Sequence, residues 1–320
     1  MQQLEVSHLE SNQRLDKFIL RYLKNCPQSF LYKCFRTNKI KYNGKKPKGN
    51  ELLQTGDIIK IFLLDDQIEE MQGKATLKKV AQQFKIIFED DNILIVDKPM
   101  GLLTQKANKA DNSLAEQILS YLDNKNELEG LNGFKPAPSN RLDRNTAGLV
   151  ISGKNLAASR AISDMLKEKN ISKYYLTIVK GIIEKPITLH AYHTKLDGNK
   201  ARISDYKVGD AKPIETKISP LKIIEGYTVL EVKLITGKTH QIRAHLSQIG
   251  YPIIGDTKYG DQKVNKYFED KYQLRSQFLC AYKIKFEECD NILDYLENRV
   301  FIANVPMLYT KILEGETNKI

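Results

Sequence analysis

An α+β fold is what this sequence predicts: a mixed, largely antiparallel sheet with flanking helices, preceded by a small N-terminal α+β unit. Three observations carry that prediction. Strand-like and helix-like stretches are interspersed without the strict alternation of a parallel β–α–β chain. The texture changes near Phe84, where a polar, charged stretch gives way to apolar alternation. And 320 residues exceed the roughly 100–200 that one core usually covers, so about two cores are expected.

The N-terminal unit opens with Arg14-Leu15-Asp16-Lys17-Phe18-Ile19. Leu15, Phe18, Ile19 and Tyr22 fall at i, i+3, i+4 and i+7, the spacing of an amphipathic helix. Pro27 and Ser29 start a second helix near Phe30-Leu31-Tyr32. Ile40 to Tyr42 reads as a strand entering an Asn43-Gly44 turn, and Ile58 to Phe62 as a closing strand. The first 65 residues hold 12 Lys/Arg against 6 Asp/Glu, and Lys33 to Lys48 holds seven basic residues and no acid. Tyr32, Phe35 and Tyr42 lie in or beside that run. A solvated basic face is the plain reading of such a run; cations interleaved with rings also suit a surface that follows a phosphate backbone. The order helix–helix–strand–turn–strand, headed by RLDKF and with a basic second helix, resembles an S4 domain over residues 12–65. S4 domains are small RNA-binding modules. The resemblance implies a domain over 1–65 with Arg14, Lys17, Lys33, Arg36, Lys39, Lys41 and Lys45 as its RNA contacts.

Residues 66–83 are polar, charged and poor in aromatics, which predicts a flexible linker. The second domain then runs over 84–320. Phe84 to Phe88 and Ile93 to Asp97 flank the turn 89–92 as a β-hairpin, and Lys98-Pro99-Met100-Gly101 breaks the second strand. Ser113 caps a short helix to Leu122, and a Gly/Pro/Asn-rich loop follows to Asn140. A strand at 148–152, a helix at about 156–168 begun by Asn155 and a strand at 173–179 come next. Residues 195–212 read as a loop or insertion. A strand at 227–235 leads to a helix near 239–249, closed by Gly250.

Composition limits the function classes. The formal charge is +11, with 50 Lys/Arg against 39 Asp/Glu, which favours a polyanionic partner. The N-terminus has neither the basic nor the apolar region of a secretory signal, and no apolar run approaches the ~18 residues of a membrane span. Cys26, Cys34, Cys280 and Cys289 form no CxxC pair and read as reduced thiols, so a cytoplasmic protein without a membrane partner is expected. Neither GxxxxGK[ST] nor GxGxxG occurs, and His240 and His245 stand five apart rather than four. No metal and no cofactor are expected.

Three short stretches carry chemistry. In Arg141-Leu142-Asp143-Arg144-Asn145-Thr146-Ala147-Gly148 a loop ends, a turn follows and an apolar strand begins. The same Arg-Leu-Asp triplet at 14–16 merely opens a helix. Cations on both sides of Asp143 favour its ionised form, as a nucleophile or general base requires. A turn Asp satisfied by backbone N–H groups is the plainer alternative. In Thr236-Gly237-Lys238-Thr239-His240-Gln241-Ile242-Arg243, a helix from Thr239 puts Ile242, Leu246 and Ile249 on the buried stripe and Arg243 on a neighbouring face. From there Arg243 could fork onto a carboxylate or make an ordinary salt bridge. In Lys173-Tyr174-Tyr175-Leu176-Thr177, strand alternation puts Tyr175 on one face with Lys173 and Thr177.

Taken in order, IVDKPMGLLTQ (95–105), RLDRNTAGLVI (141–151), KYYLTIVKG (173–181), TGKTHQIRAHLSQIGYPIIGD (236–256) and LCAYKIKF (279–286) resemble the RluA-type pseudouridine synthases over about 84–307. With an S4-like module in front, the resemblance is to the branch acting on large-subunit ribosomal RNA. It implies an isomerase that converts uridines of 23S rRNA, or of its precursor, to pseudouridine. It further implies Asp143 as the catalytic carboxylate, Tyr175 as the active-site tyrosine and Arg243 as the arginine partner. Arg141 would enter the RNA as the target base leaves, and Asp16 would have no catalytic part. The chain departs from the family pattern at Asn140 (usually His), Ala147 (usually Ser) and Cys280 (usually His).

Pseudouridine is an isomer of uridine. The N1–C1′ bond breaks, the uracil turns while held, and C5 joins C1′. Extruding the nucleotide costs a few kcal/mol. Asp143 would then either attack C1′ or remove the 2′ proton. A monomer is expected. Two other readings stay open, a tRNA-modifying synthase and a non-catalytic RNA-binding factor in ribosome assembly.

Overall fold

Periodicity in the first 73 residues produces a small unit of its own. In the computed structural model, which describes residues 1–73, 79–108, 110–196 and 200–317, this unit comprises β1 (Gln2–Glu5), α1 (Leu15–Tyr22), α2 (Gln28–Arg36), β2 (Ile40–Tyr42), β3 (Ile58–Ile61) and α3 (Asp65–Gln72). Its antiparallel sheet is ordered β1-β3-β2. Leu15, Phe18 and Ile19 of α1 share one apolar core with Leu31, Cys34 and Phe35 of α2 and with Ile40, Ile59 and Ile61. Asn43 (φ 47°) and Gly44 (φ 75°) make the tight left-handed turn after β2 that Asn-Gly pairs favour.

The linker expected over 66–83 is corrected at its start. Ile68 and Met71, at i and i+3, give an otherwise acidic segment an apolar stripe that closes onto this core, and Asn25 N–H donates to the Met71 carbonyl. Composition alone hides a stripe of two residues. Residues 74–78 lie outside the described residues.

The rest of the chain builds β4 (Lys85–Glu89), β5 (Ile93–Lys98), α4 (Leu114–Asn124), β6 (Ala147–Gly153), α5 (Leu156–Glu168), β7 (Ile171–Lys180), β8 (Ile187–Leu196), β9 (Lys200–Ser204), β10 (Lys212–Ile224), β11 (Tyr227–Leu234), α6 (Gln241–Gln248), α7 (Gln262–Tyr272), β12 (Leu279–Phe286), β13 (Val300–Ile302) and α8 (Met307–Thr317). The strands form one sheet, ordered β4-β5-β6-β12-β7-β11-β10-β8-β9 with β13 on β12. Every pairing is antiparallel except β6 with β12. The expected α+β architecture is therefore the one observed.

Alternation along the central strands separates two apolar layers. Leu94, Val96 and Val150 join a layer with α4, α6, α7 and α8 residues, whereas Ile93, Ile95, Leu149 and Ile151 face Ala158, Ile162 and Met165 of α5. Asn155 caps α5, its side-chain oxygen accepting from Ala158 N–H at 2.9 Å. Ser113 holds the N-cap position of α4, but its hydroxyl makes no capping bond. Residues 79–83 are tied to that helix through Val80 N–H to Ser120 Oγ (3.1 Å) and Gln83 N–H to Gln117 Oε1 (2.8 Å). Within 195–212, expected as a loop, β8 runs to Leu196 and β9 occupies 200–204, with 197–199 outside the described residues. The two units touch where Arg160 on α5 donates to the Ser11 and Asn12 carbonyls and Asn132 donates to Glu10.

Candidate active site

The turn before β6 is fixed by backbone bonding more than by packing. Thr146 N–H donates to the Asp143 carbonyl at 3.0 Å, and Gly101 N–H to the Arg144 carbonyl at 2.9 Å. Thr104 Oγ donates to the Leu142 carbonyl (2.9 Å) and accepts from Leu142 N–H (3.1 Å). Beneath the turn, Lys98 is fully buried and its ammonium donates to the carbonyls of Pro99, Leu102 and Arg144 at 3.0, 2.8 and 3.2 Å. Burial pushes the Lys98 pKa down to about 7, with Asp143 and Asp97 pulling the other way. Gly148 closes the assembly: at φ 114° a Cβ would sit 2.3 Å from the Ala281 carbonyl oxygen, across the parallel β6–β12 pair. Asn140, where the family usually has His, clips the start of β6 by donating to the Leu149 carbonyl and accepting from Ile151 N–H.

Asp143 thus stands at the head of β6 with its side chain 27% exposed. Arg243 comes to it from α6, a helix buried on nearly every side, since Gln241 through Leu246 are all buried. The Arg243 Nη1 donates to Asp143 Oδ2 at 2.9 Å. Its Nε and Nη2 fork onto Asp256 at 2.6 and 2.8 Å, and Asp256 Oδ1 also accepts from Lys258 N–H and Tyr259 N–H. Burial disfavours the Asp256 charge, yet the Arg243 hydrogen bonds and charge outweigh it and hold the carboxyl below its ordinary range. The arginine is therefore fixed in orientation by one carboxylate before it meets the other.

His240 precedes α6 in a left-handed conformation (φ 53°), an uncommon one for a residue with a Cβ. Its Nε2 lies 3.7 Å from Asp143 Oδ2, and its Nδ1 lies 3.0 Å from the Tyr259 hydroxyl. Both cationic or N–H groups approach Oδ2. Among the described residues no hydrogen bond reaches Oδ1, which leaves one carboxylate oxygen open.

Tyr175 is buried in β7, opposite Val232, and its hydroxyl has no hydrogen-bond partner among the described residues. Burial and then the Asp143 charge raise its pKa, so the phenol is neutral. Arg141 is exposed, two residues before Asp143. Asp143, Arg243 and Tyr175, separated by up to 100 positions, are brought together. The N-terminal candidates are in the other unit, where Lys17, Lys33, Arg36, Lys39 and Lys45 are exposed. Lys41 lies over the Phe62 ring at 5.6 Å. Arg14 is committed elsewhere, forking onto Asp16 at 3.1 and 2.8 Å. Tyr32 and Lys17 N–H also bind Asp16, so both oxygens of that buried carboxylate are filled.

Sequence reasoning passes over Lys98, Asp256 and Tyr259, each of which shapes the site. Asp256 and Tyr259 follow the Arg243 helix in Ile254-Gly255-Asp256-Thr257-Lys258-Tyr259-Gly260, where the acid is the nearest carboxylate after the arginine. Lys98 shows as a charge at the end of an apolar strand, which reads as a strand terminus.

The model of the RNA pseudouridylate synthase family matches residues 92–248. Ribosomal large subunit pseudouridine synthase C of Haemophilus influenzae is 30% identical over 295 residues, covering 90% of this chain and 88% of that protein. An uncharacterized RNA pseudouridine synthase of Mycoplasma capricolum is 32% identical over 311 residues, covering 93% and 96%. In fold, the chain is similar to human RNA pseudouridylate synthase domain containing 4, with a TM-score of 0.57, 19% identity and coverage of 72% and 91%. It is similar also to human RNA pseudouridylate synthase domain containing 1, with a TM-score of 0.51, 20% identity and coverage of 73% and 95%. Motif order, sheet topology and relatives at this level place one conclusion beyond the residues themselves: the chain belongs to the RluA-type family of RNA pseudouridine synthases.

Proposed function

We propose that this chain isomerises uridines of large-subunit (23S) ribosomal RNA, or of its precursor, with Asp143 as the catalytic carboxylate. The observation that carries the reading is the half-open carboxylate: Oδ2 is bound by an arginine that Asp256 fixes, and Oδ1 has no hydrogen bond among the described residues, on a side chain that is 27% exposed. A preorganised anion of this kind meets the anomeric centre of an extruded nucleoside without first rearranging. Oδ1 attacks C1′ as the N1–C1′ bond breaks, or takes the 2′ proton as that bond breaks; the uracil turns, C5 bonds to C1′ as the bond to Oδ1 breaks or the 2′ proton returns, and C5 then loses its proton while N1 gains one. Tyr175 packs against the uracil and helps carry that proton away. Arg141, exposed beside the turn, fills the space that the base vacates.

The N-terminal unit serves as an S4-type RNA-binding domain in this reading, and Lys17, Lys33, Arg36, Lys39, Lys41 and Lys45 contact phosphates. Arg14 shapes the unit through Asp16 instead. Relatives named for the ribosomal large subunit support rRNA as the substrate. The protein works as a monomer in the cytoplasm, in keeping with four free, buried cysteines. No helix among the described residues is long and apolar enough to cross a membrane.

Tritium release from 5-tritiated large-subunit rRNA and tRNA, each incubated with purified protein, tests the substrate. Release from rRNA alone is expected. Release from tRNA alone would replace the substrate, and release from neither would leave an RNA-binding assembly factor.

A further inference from the structure

We infer that Tyr259 fixes the tautomer of His240, so that a neutral imidazole directs its Nε2–H at Asp143 and makes His240 a positioning residue of the active site. The inference rests on the reading of Asp143 as the reacting carboxylate only for its functional consequence.

The proton count starts on the sheet edge. Ala201 N–H, in β9, points out of the ladder and donates to the Tyr259 hydroxyl oxygen at 2.7 Å. A backbone amide is only ever a donor, so the phenol oxygen must accept there. The one hydrogen of that phenol remains to donate, and among the described residues the acceptor within reach of it is His240 Nδ1 at 3.0 Å. An Nδ1 that accepts carries no proton, so in the neutral ring the proton is on Nε2. That atom is the one facing Asp143 Oδ2, at 3.7 Å.

Neighbouring groups are consistent with a neutral ring. Burial opposes the imidazolium, and Arg243 and Lys258 repel it, while Asp143 and Asp256 attract it; the balance lowers the His240 pKa. The backbone at His240 is left-handed (φ 53°) at the start of α6, and the ring lies between Tyr259 and the carboxylate. At 3.7 Å the N–H is not yet a hydrogen bond. A shift of less than 1 Å makes it one, and Oδ2 is then held by both Arg243 and His240. The reacting oxygen is thereby limited to Oδ1. The chain Ala201–Tyr259–His240–Asp143 also ties the β8–β9 hairpin to the reaction centre, so the hairpin's position is read at the carboxylate.

The test uses the full-length protein labelled with nitrogen-15 in its five histidine side chains. Long-range proton–nitrogen correlation distinguishes a bare ring nitrogen from one that carries hydrogen, and His240→Gln identifies the signals by their loss. Expected is a bare Nδ1 and a protonated Nε2 in the wild type, with a mixture of tautomers in Tyr259→Phe. Should Tyr259→Phe fail to fold, Ala201→Pro removes the first donor on an edge strand, where a missing N–H is tolerated, and gives the same mixture. Single-turnover rates at saturating RNA fall by at least about tenfold in His240→Gln and Tyr259→Phe, with RNA affinity unchanged. A protonated Nδ1 in the wild type, an unaltered tautomer in the variants, or full rates despite an altered tautomer would overturn the inference. Because the tautomer is read without turnover, an active Asp143→Asn variant would remove the proposed catalytic role and leave this result standing.

Discussion

Two aspartates in identical Arg-Leu-Asp triplets show how much of this chemistry resides in single atoms. Asp16 has both oxygens filled by Arg14, Tyr32 and Lys17 N–H and is 2% exposed. Asp143 has one oxygen filled and 27% of its side chain exposed. The triplet is legible in the sequence, but the difference in satisfaction is not, because it depends on how Arg14 folds back onto Asp16 and on Tyr32 and Arg243, 16 and 100 residues away from the two aspartates. Asp256 escaped the sequence reading for the same reason: its fork with Arg243 exists only once β7 and α6 are in place. Breaking that fork leaves a buried guanidinium half-paired. Asp256→Asn is expected to lose about 3 kcal/mol of unfolding free energy, read by denaturant titration, and to slow single-turnover isomerisation with little change in RNA affinity. A variant as stable and as fast as wild type would show that Arg243 needs no anchor.

At the scale of elements, the hairpin of β4 and β5, the helix α5 with its Asn155 cap, and the strands β6, β7 and β11 followed directly from periodicity and turn residues. Strongly alternating or capped segments announce themselves. β1 and α3 did not, since Gln2–Glu5 and Asp65–Gln72 are mostly polar and owe their structure to tertiary pairing. β9 was hidden likewise, as an edge strand in a basic, polar stretch. Helix α6 carries a consequence for acid stability. His245 is 1% exposed and beside Thr216 Oγ, and burial, then the His190 charge, pushes its pKa from 6.5 down to about 4. The unfolded chain takes up this proton first, near pH 6.5, while the folded chain resists until about pH 4. Stability from this group is therefore present above pH 6.5 and lost as the pH falls toward 4, by about 3 kcal/mol. Unfolding titrations from pH 7 to 4 are expected to show that decline, and His245→Gln to flatten it. An equal decline in the variant would assign the acid sensitivity to other groups.

For the whole molecule, the proposed function assigns the grasp of RNA to the N-terminal unit and the chemistry to the body. The first 65 residues carry half of the net charge excess and more, at 12 basic against 6 acidic residues, and the body holds the carboxylate. The uneven charge and the change of texture near Phe84 are legible in the sequence, whereas the docking of the units through Arg160, Ser11 and Asn132 is not, because those contacts engage backbone carbonyls and amide side chains. Replacing Lys33 and Arg36, three apart on the exposed side of α2, by alanine is expected to lower the slope of log affinity against log salt by about 1.5. The single-turnover rate at saturating RNA should be unchanged. An unaltered slope would move the phosphate contacts elsewhere. The role proposed for the open oxygen at the head of β6 is tested most directly by tritium release from 5-tritiated large-subunit rRNA by Asp143→Asn beside wild type. A loss of about 10³-fold or more is expected in a variant that still folds and binds RNA. Isomerisation by Asp143→Asn at a rate near wild type would contradict it.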